Sequence, residues 1–375
     1  MIDLVLGLHL YQPPNQDLEI LEKITKESYS PVINLALSHP RAFFTVDIAR
    51  SAIELLMKQR SGKDFLKKVE LAAKNRKISP VNIAAYHPIL PLIPDAEIER
   101  QILLNEKSYQ KLFGGLFQKP DGVFPPEMAF SKKLVPVFER LGYKWTISDD
   151  TPFCCFHKTN PPFNWIPKQK NIAVFLRSNL WSGRISFESF SGQAFAYVLK
   201  KELGAWFGKN RGYLIIWIDW ETFGHHQKGF VESFLAPLLD NLDQEINLVS
   251  PSDLLKIYPQ RDISLPPGSW STTARDFQNK NYWPLWKDPD IEFHRLWWKL
   301  ARIVLEIKKR IIDEEKLTIF DKALYSCQTW QWSQGSKKRA IKGMTYFEEV
   351  LELEESEPYR KIASRIIQRL KEICK

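Results

Sequence analysis

The feature that most constrains the fold of this 375-residue chain is the alternation of short apolar runs with helix-patterned stretches over its first two thirds. Short apolar runs between turn residues predict strands, and one-sided apolar stretches predict helices. Repeated strand–helix–strand order is typical of parallel βαβ units. The predicted strands are residues 2–10, 43–46, 81–86, 122–124, 143–147, 172–177, 213–219 and 248–249. The helical patterns between them include residues 51–59, 96–113 and 132–141.

The number and spacing of these units predict how the chain is organised. About seven or eight units in roughly 260 residues favour a (β/α) barrel over an open sheet. Residues 261–268, which contain Pro266, Pro267 and Gly268, are interpreted as a linker. Helical patterns without strand alternation follow at residues 291–312, 314–324 and 358–373. We therefore predict a barrel domain over residues 1–260 and a helical domain over residues 261–375.

Composition narrows the class of protein. The chain has 44% hydrophobic and 26% charged residues, which is typical of globular proteins rather than disordered ones. Its net charge is +9, but basic and acidic residues are interspersed and no motif for reading nucleic acid is present, so we expect no nucleic-acid partner. No apolar run approaches the roughly 20 residues that span a bilayer. The first residues are typical of a strand rather than of a signal peptide.

Four cysteines, Cys154, Cys155, Cys327 and Cys374, show no paired spacing. This favours a reducing compartment. Together with the absence of a predicted leader or membrane segment, it leads us to expect a cytoplasmic protein without membrane partners. The sequence leaves the oligomeric state open.

Candidate chemistry lies where predicted strands end. In a parallel barrel the reacting groups gather at the carboxyl ends of the strands. His9, His87 and Glu127 all lie at or just after such ends, and Asp219 directly follows the apolar run 214–218. A carboxylate after a buried run costs desolvation free energy unless it is paired or functional. Two carboxylates from different strand ends form the pair that glycosidases use, one as nucleophile and one as proton donor.

These segments resemble the motifs of glycoside hydrolase family 57, the α-amylase and 4-α-glucanotransferase group. The more specific matches are residues 122–130 (GVFPPEMAF) with the third motif and residues 219–224 (DWETFG) with the fourth. Residues 9–13 (HLYQP) and 85–92 (AYHPILPL) are similar to the first two motifs. Residues 269–276 (SWSTTARD) are similar to a stretch that follows the barrel in the family, and a fifth, aromatic-rich motif is expected near Trp330.

The resemblance implies an α/β fold, namely an incomplete (β/α)7 TIM-like barrel followed by a helical bundle that completes the active-site cleft. It implies a retaining double displacement on an α-glucan or maltooligosaccharide, with no cofactor and no metal. Glu127 would be the nucleophile and Asp219 the general acid/base, although a slip between strand and loop would exchange the roles of Asp219 and Glu221. Whether water or a sugar hydroxyl accepts the glycosyl group stays open.

The predicted sugar-binding residues come from these motifs and from the aromatic residues near them. Trp330 and Trp332 lie in a polar stretch without helical spacing, where exposed rings suit stacking on sugar faces. The full predicted set is His9, Tyr11, Gln12, His87, Trp220, Glu221, His225, Trp270, Trp330 and Trp332.

Two other classes of function stay open. Tyr11 replaces the second His of the family's first motif, and Ser178 and Gly183 replace two Asp residues of a further stretch, which is compatible with a non-catalytic carbohydrate-binding homologue. Histidines near strand ends could instead serve a metal-dependent deacetylase or a mannosidase-like hydrolase. Against this, His225 and His226 are adjacent and cannot both face one metal from regular structure.

Overall fold

The computed structural model describes residues 1–117, 119–188 and 190–374. All of the predicted strands are present, with ends that shift by at most three residues. The strands are β1 (Ile2–Leu10), β2 (Phe44–Ile48), β3 (Ile78–Ile83), β4 (Gly122–Phe124), β5 (Trp145–Asp149), β6 (Ile166–Gln169), β7 (Ile172–Arg177), β8 (Gly212–Asp219), β9 (Ile246–Leu248) and β10 (Gln260–Asp262). Strands β6 and β10 were not predicted.

Helices follow most of the strands and make up most of the C-terminal third. Those of the first part are α1 (Leu18–Ile24), α2 (Ser30–Ser38), α3 (Arg50–Leu56), α4 (Arg60–Lys74), α5 (Asp95–Phe113), α6 (Leu134–Arg140), α7 (Asp150–His157), α8 (Asn179–Phe187), α9 (Gly192–Phe207), α10 (Ala236–Asp240) and α11 (Pro251–Ile257). Those of the last part are α12 (Ala274–Gln278), α13 (Glu292–Lys308), α14 (Glu314–Ala323), α15 (Cys327–Ser333), α16 (Lys337–Lys342), α17 (Met344–Glu352) and α18 (Glu357–Ile373). Short 3₁₀ or π segments lie at Thr25–Tyr29, Leu90–Leu92, Gly114–Phe117, Pro126–Met128, Trp220–Thr222, Val231–Leu235 and Glu354–Ser356.

Seven parallel strands form the curved sheet, in the order β7-β5-β4-β3-β2-β1-β8. Strand β6 pairs antiparallel with β7, and β9 adds to the start of β1. Between β7 and β8 the described residues form no strand ladder; the Ser178 amide instead donates to the Ile215 carbonyl at 2.8 Å, and Arg177 Nε donates to the Trp217 carbonyl at 2.8 Å. The predicted incomplete (β/α)7 barrel is therefore confirmed.

The period-two alternation of β1 and β8 decides what faces the barrel interior. Leu4, Leu6 and Leu8 belong to a core shared with the surrounding helices, whereas Val5 packs in the interior with Trp217. Gly7 is required in this layer because a Cβ atom there would lie 2.1 Å from the Trp217 ring. The last interior positions of these two strands lie at the carboxyl end of the barrel, where the cleft begins.

The C-terminal helices share a continuous apolar core with the outer face of the barrel. Trp297 and Val304 of α13 pack in the same cluster as Ile98 of α5 and Phe138 of α6. The predicted linker also belongs to the packed structure, because Leu265 is buried and Gly268 exchanges backbone hydrogen bonds of 2.8 and 3.1 Å with Phe130. The division at residue 260 therefore stays a sequence-based prediction.

A buried ion cluster lies between the helical region and the barrel helix α5. The Lys308 ammonium donates to Glu97 at 2.6 Å and to Asp321 at 2.5 Å, and Arg100 donates to Asp321 at 2.9 Å. Burial raises the pKa of Glu97, while the Lys308 charge opposes that rise. Removing Lys308 would leave two buried carboxyls without their shared cation.

We expect Lys308→Met to lower the free energy of unfolding by about 3–5 kcal/mol, because an uncompensated buried charge costs that much. Urea denaturation at pH 7 measures the change. Lys309→Met is the matched control, since its pair with Glu306 is largely exposed and such pairs contribute little. Equal midpoints for the two variants would contradict the structural role of the cluster.

Candidate active site

The carboxyl ends of the barrel strands and the helical region enclose a cleft of about 1060 Å³. Most of the predicted site residues line it. These are Glu127, Asp219, His9, Tyr11, Gln12, His87, Glu221, His225, Trp270 and Trp330. The cleft also contains side chains that sequence reasoning did not assign to sugar binding, among them Asp17, Asn179, Phe187, Cys327, Arg339 and Lys342.

Strand register places three titratable side chains side by side at the base of the cleft. His9 on β1 is the register partner of Asp47 on β2 and of Asp219 on β8. Register partners on neighbouring parallel strands direct their side chains to the same face. His9, Asp47 and Asp219 therefore form one row across three strands.

Glu127 lies in a turn whose backbone is constrained. Pro125 and Pro126 follow β4, and Glu127 and Met128 then adopt left-handed φ angles of 60° and 49°. Such angles are uncommon for residues other than glycine, and they concentrate at functional sites. His87, after β3, has the same feature with φ 58°. The barrel therefore presents two site residues on strained turns.

The Glu127 carboxyl is held by the loop after the barrel. Trp270 Nε1 donates to Glu127 Oε2 at 2.8 Å, and the Trp270 amide donates to the Glu127 carbonyl at 3.2 Å. Burial raises the pKa of Glu127 to about 7, the Asp219 charge adds to the rise, and the charge of His9 and the Trp270 hydrogen bond oppose it. Near neutral pH this carboxyl therefore titrates.

His9 and His87 form a hydrogen-bonded pair behind the carboxyls. His9 Nδ1 lies 2.6 Å from Asp47 Oδ1, its Nε2 lies 3.1 Å from His87 Nε2, and His87 Nδ1 lies 2.9 Å from Ser326 Oγ. Burial alone would lower the pKa of His9, but the Asp47 carboxylate raises it to about 9. Burial lowers the pKa of His87 well below its usual value, and the neighbouring His9 charge lowers it further.

Asp219 and Glu221 come from the same strand end but have different surroundings. Glu221 accepts hydrogen bonds from Gln12 Nε2 at 2.5 Å and from the Tyr29 hydroxyl. Burial and then the Asp219 charge raise the pKa of Glu221 to about 7. None of the described side chains hydrogen-bonds to the Asp219 carboxyl, which lines the cleft. Of the two acids, Asp219 is therefore free to bond to a ligand.

Gly224, the last residue of the segment 219–224, is required there for a steric reason. Its φ is 115°, and a Cβ atom there would lie 1.9 Å from the Glu27 carbonyl oxygen. The chain behind Asp219 and Glu221 can therefore pass close to the segment Thr25–Tyr29, which carries Tyr29. His225, next along the chain, contacts Glu27 with its Nδ1 2.7 Å from Oε2.

Arg177 contacts Trp270 over the face of its ring. Arg177 Nη1 donates to Asp149 at 2.7 Å, and its guanidinium lies 5.6 Å from the centre of the Trp270 ring. Burial and then the charge of Asp149 raise the pKa of Asp150 to about 7. Arg177 thus connects the ends of β5 and β7 to the ring that holds Glu127.

Tyr11, where the resemblance leads us to expect a histidine, packs against His87. Its ring stacks on His87 with centroids 3.8 Å apart and an interplanar angle of 10°. Its hydroxyl is buried without a hydrogen-bond partner among the described residues. Cys327 also lines this part of the cleft, and burial raises the pKa of its thiol to about 12.

Two predicted contact residues do not reach the cleft. Trp220 is 1% exposed and packs edge-on against Phe65, with ring centroids 5.5 Å apart. Trp332 stacks on Phe293 at 5.4 Å within the helical core. Stacking of these two rings on a sugar is therefore a wrong prediction, because tertiary packing turns both away from the ligand space. Trp330 lines the cleft with 38% of its surface exposed.

The polar stretch around Trp330 and Trp332, which has no helical spacing in the sequence, nevertheless forms α15 (Cys327–Ser333). No apolar stripe marks this helix in the sequence. Its polar side chains are fixed by tertiary contacts instead, as when Trp297 Nε1 donates to Gln328 Oε1 at 3.0 Å.

Asp47 is the main site residue that sequence reasoning missed. The predicted second strand stopped at residue 46, one residue before an acid that interrupts the buried segment Phe44–Ile48. The same signal, a carboxylate in a buried strand, identified Asp219. The same signal could have identified Asp47.

Two further findings concern metal sites and membrane segments. No group of three or more His, Cys, Asp and Glu side chains in the described part of the chain is arranged to hold a metal ion. None of the helices within residues 1–117, 119–188 and 190–374 combines the length and apolar character that crossing a bilayer requires.

Comparison with known proteins places this architecture among carbohydrate-active proteins. The model of Glycosyl hydrolase family 57 matches residues 7–266. Alpha-amylase 1 of Dictyoglomus thermophilum is 32% identical over 149 residues, which are 40% of this chain and 21% of that protein. The match therefore spans about a fifth of the length of that relative.

Two solved structures share the fold of this chain. The 4-alpha-glucanotransferase of Thermococcus litoralis has a TM-score of 0.74 at 17% identity, covering 92% of this chain and 60% of that chain. The GH57-type branching enzyme of Pyrococcus horikoshii has a TM-score of 0.73 at 16% identity, covering 99% of this chain and 94% of that chain. At these identities the similarity concerns architecture alone.

Proposed function

Because the chain belongs to glycosyl hydrolase family 57, we propose that it is a retaining enzyme that acts on α-linked glucans such as maltooligosaccharides. The observation that carries this proposal is the meeting of Glu127 and Asp219, from the ends of β4 and β8, in one cleft. Trp270 holds the first acid, while the second bonds to none of the described side chains. A non-catalytic binding protein would not need this pair.

The mechanism would proceed in two displacements. Ionised Glu127 attacks the anomeric carbon and forms a glycosyl ester, while Asp219 donates a proton to the departing glycosidic oxygen. Asp219, now a carboxylate, then removes a proton from the acceptor, which displaces Glu127. Water as acceptor gives hydrolysis and a sugar hydroxyl gives a longer glucan, so both products are compatible with the same residues.

The division of roles has an electrostatic basis. The nucleophile must lose its proton near neutral pH, and the positive charge of His9 together with the hydrogen bond from Trp270 favours the ionised form of Glu127. A donor must reach the leaving oxygen, and the Asp219 carboxyl points into the cleft without a competing side-chain bond from the described residues. Glu221, bonded to Gln12 and Tyr29, is better suited to shaping the sugar subsite.

Time-resolved proton NMR of the wild type on maltooligosaccharides of defined length tests the proposal. We expect new reducing ends whose first-formed anomer is α, because double displacement retains configuration. Longer oligosaccharides alongside them would identify transfer. A β anomer formed first would contradict the nucleophilic role of Glu127. No turnover by folded protein, with maltooligosaccharide binding retained, would favour the non-catalytic alternative.

A further inference from the structure

We propose that Asp47 and His9 form a buried ion pair whose positive member keeps Glu127 ionised, so that His9 acts as a positioning residue rather than mainly as a sugar contact. The proposal rests on the proposed function, because it concerns the charge of the assigned nucleophile. The arrangement that carries it is one imidazole beside Asp47 on β2 and Asp219 on β8, with Trp270, the residue that holds Glu127, edge-on to its ring.

The His9 ring is fixed on several sides. Asp47 binds its Nδ1 at 2.6 Å, and the Phe124 ring stacks on it with centroids 4.8 Å apart. The Trp270 ring meets it edge-on at 5.7 Å, and only 4% of His9 is exposed. A side chain enclosed in this way presents little surface to a sugar, but its charge acts over the whole cleft base.

The hydrogen bonds are compatible with a doubly protonated His9. Its Nδ1–H would donate to Asp47 and its Nε2–H to His87 Nε2, which lies 3.1 Å away. His87 would then be neutral and donate its own Nδ1–H to Ser326 Oγ at 2.9 Å. In the reverse assignment the proton would lie on His87, whose Nδ1 is 3.8 Å from Glu127 Oε1, and the wholly buried Asp47 would face a neutral imidazole at 2.6 Å. Placing the proton on His9 therefore follows from the surrounding charges.

The groups that face His9 are Asp47 from β2, Asp219 from β8, Glu127 after β4 and His87 after β3. Asp47 is wholly buried and also accepts a hydrogen bond from Trp217 Nε1 at 3.1 Å, so it is anchored on both oxygens. Besides pairing with Asp47, the positive charge of His9 stabilises the ionised forms of the two cleft carboxyls, Glu127 and Asp219. Removing the His9 charge raises the free energy needed to ionise Glu127 next to Asp219.

The indole of Trp270 offers a readout that does not depend on turnover. Its Nε1–H donates to Glu127 Oε2, so the nitrogen and proton shifts of this group report the charge of Glu127. We would follow the indole signals of ¹⁵N-labelled protein from pH 5 to pH 10 and assign the signal with Trp270→Phe. In the wild type the midpoint should lie near the pKa of Glu127, about 7.

In His9→Gln and in the isosteric Asp47→Asn we expect this midpoint to rise by about one pH unit or more, the size of effect that a nearby opposite charge has on a carboxyl. The midpoint rises rather than falls because loss of the His9 charge favours the protonated, neutral form of Glu127. The rising limb of kcat/KM, which requires ionised Glu127, should move to higher pH by the same amount. Asp47→Asn keeps one acceptor oxygen for His9 Nδ1–H while losing the acceptor for Trp217 Nε1–H, and it covers the case in which His9→Gln does not fold.

His39→Gln is the matched control, because it removes another His–Asp contact, at 3.1 Å from Asp240, outside the cleft. It should leave the Trp270 midpoint unchanged. An unchanged midpoint in both His9→Gln and Asp47→Asn would overturn the proposal, even if activity fell at every pH, since that pattern indicates a structural role only. A raised midpoint in protein that turns over no glucan would support the ion pair and contradict the proposed function.

Discussion

Glu127→Gln is expected to lower kcat on maltooligosaccharides by about 10⁴-fold or more, the order of loss seen when a nucleophile is removed. The amide has nearly the same volume and can still accept the hydrogen bond from Trp270 Nε1, so the loss reflects nucleophilicity rather than misplacement. Reducing-end formation measures kcat, and calorimetric titration with substrate should show that binding persists. Glu232→Gln, an exposed substitution away from the cleft lining, serves as control.

A smaller variant distinguishes the role of nucleophile from that of a binding residue. In Glu127→Ala an azide ion can enter the vacated space and attack the anomeric carbon, while Asp219 protonates the departing oxygen. The carbon–nitrogen bond forms on the nucleophile's face, so the glycosyl azide should have the β configuration. Recovery of α azide, or residual hydrolysis within tenfold of the wild type, would contradict the assignment of Glu127.

Asp219→Asn has the second largest expected effect, a loss of about 10²–10⁴-fold in kcat/KM on natural glucans, the usual contribution of general acid–base catalysis. The loss should depend on the leaving group. An aryl α-glucoside with an acidic phenol needs no protonation, so it should form the glycosyl enzyme quickly and then release it slowly. A burst of phenol in stopped-flow absorbance, followed by slow turnover, is the expected signature.

Glu221→Gln tests the alternative in which the two acids exchange roles. Glu221 is bonded to Gln12 and Tyr29, so its amide variant should weaken substrate binding without producing the dependence on leaving group. If Glu221→Gln shows the burst and Asp219→Asn does not, the acid/base assignment belongs to Glu221. Azide added to Asp219→Asn should give a glycosyl azide of retained, α configuration, which separates this variant from Glu127→Ala.

Much of the fold could be predicted because its signals are local. The bounds of β1, β4 and β7 coincide with predicted apolar runs, since a strand buried on both faces needs a continuous run of apolar residues. Strands β6 and β10 were missed because β6 contains Pro167 and β10 is made of exposed polar residues, so neither has an apolar pattern. They form because β7 provides an edge for β6, and β6 in turn for β10.

The active-site residues likewise include some that local sequence predicts and some that it does not. Strand-end residues such as Glu127 and Asp219 could be placed at one face of the barrel from sequence, because parallel strands deliver their carboxyl ends to one side. The residues that hydrogen-bond to these side chains could not be predicted from the sequence. Trp270 reaches Glu127 across 143 positions, and Ser326 reaches His87 across 239, and no local pattern encodes such contacts.

The sequence by itself determined which segments become strands and helices and which acids stand at strand ends, because burial and the periods of two and 3.6 act on neighbouring residues. Only the tertiary structure decided that Trp220 and Trp332 turn into the core, that Trp330 faces the cleft, and that Asp47 pairs with His9. Those outcomes depend on strand register and on packing between distant segments, which place side chains together only once the barrel and its helices have assembled.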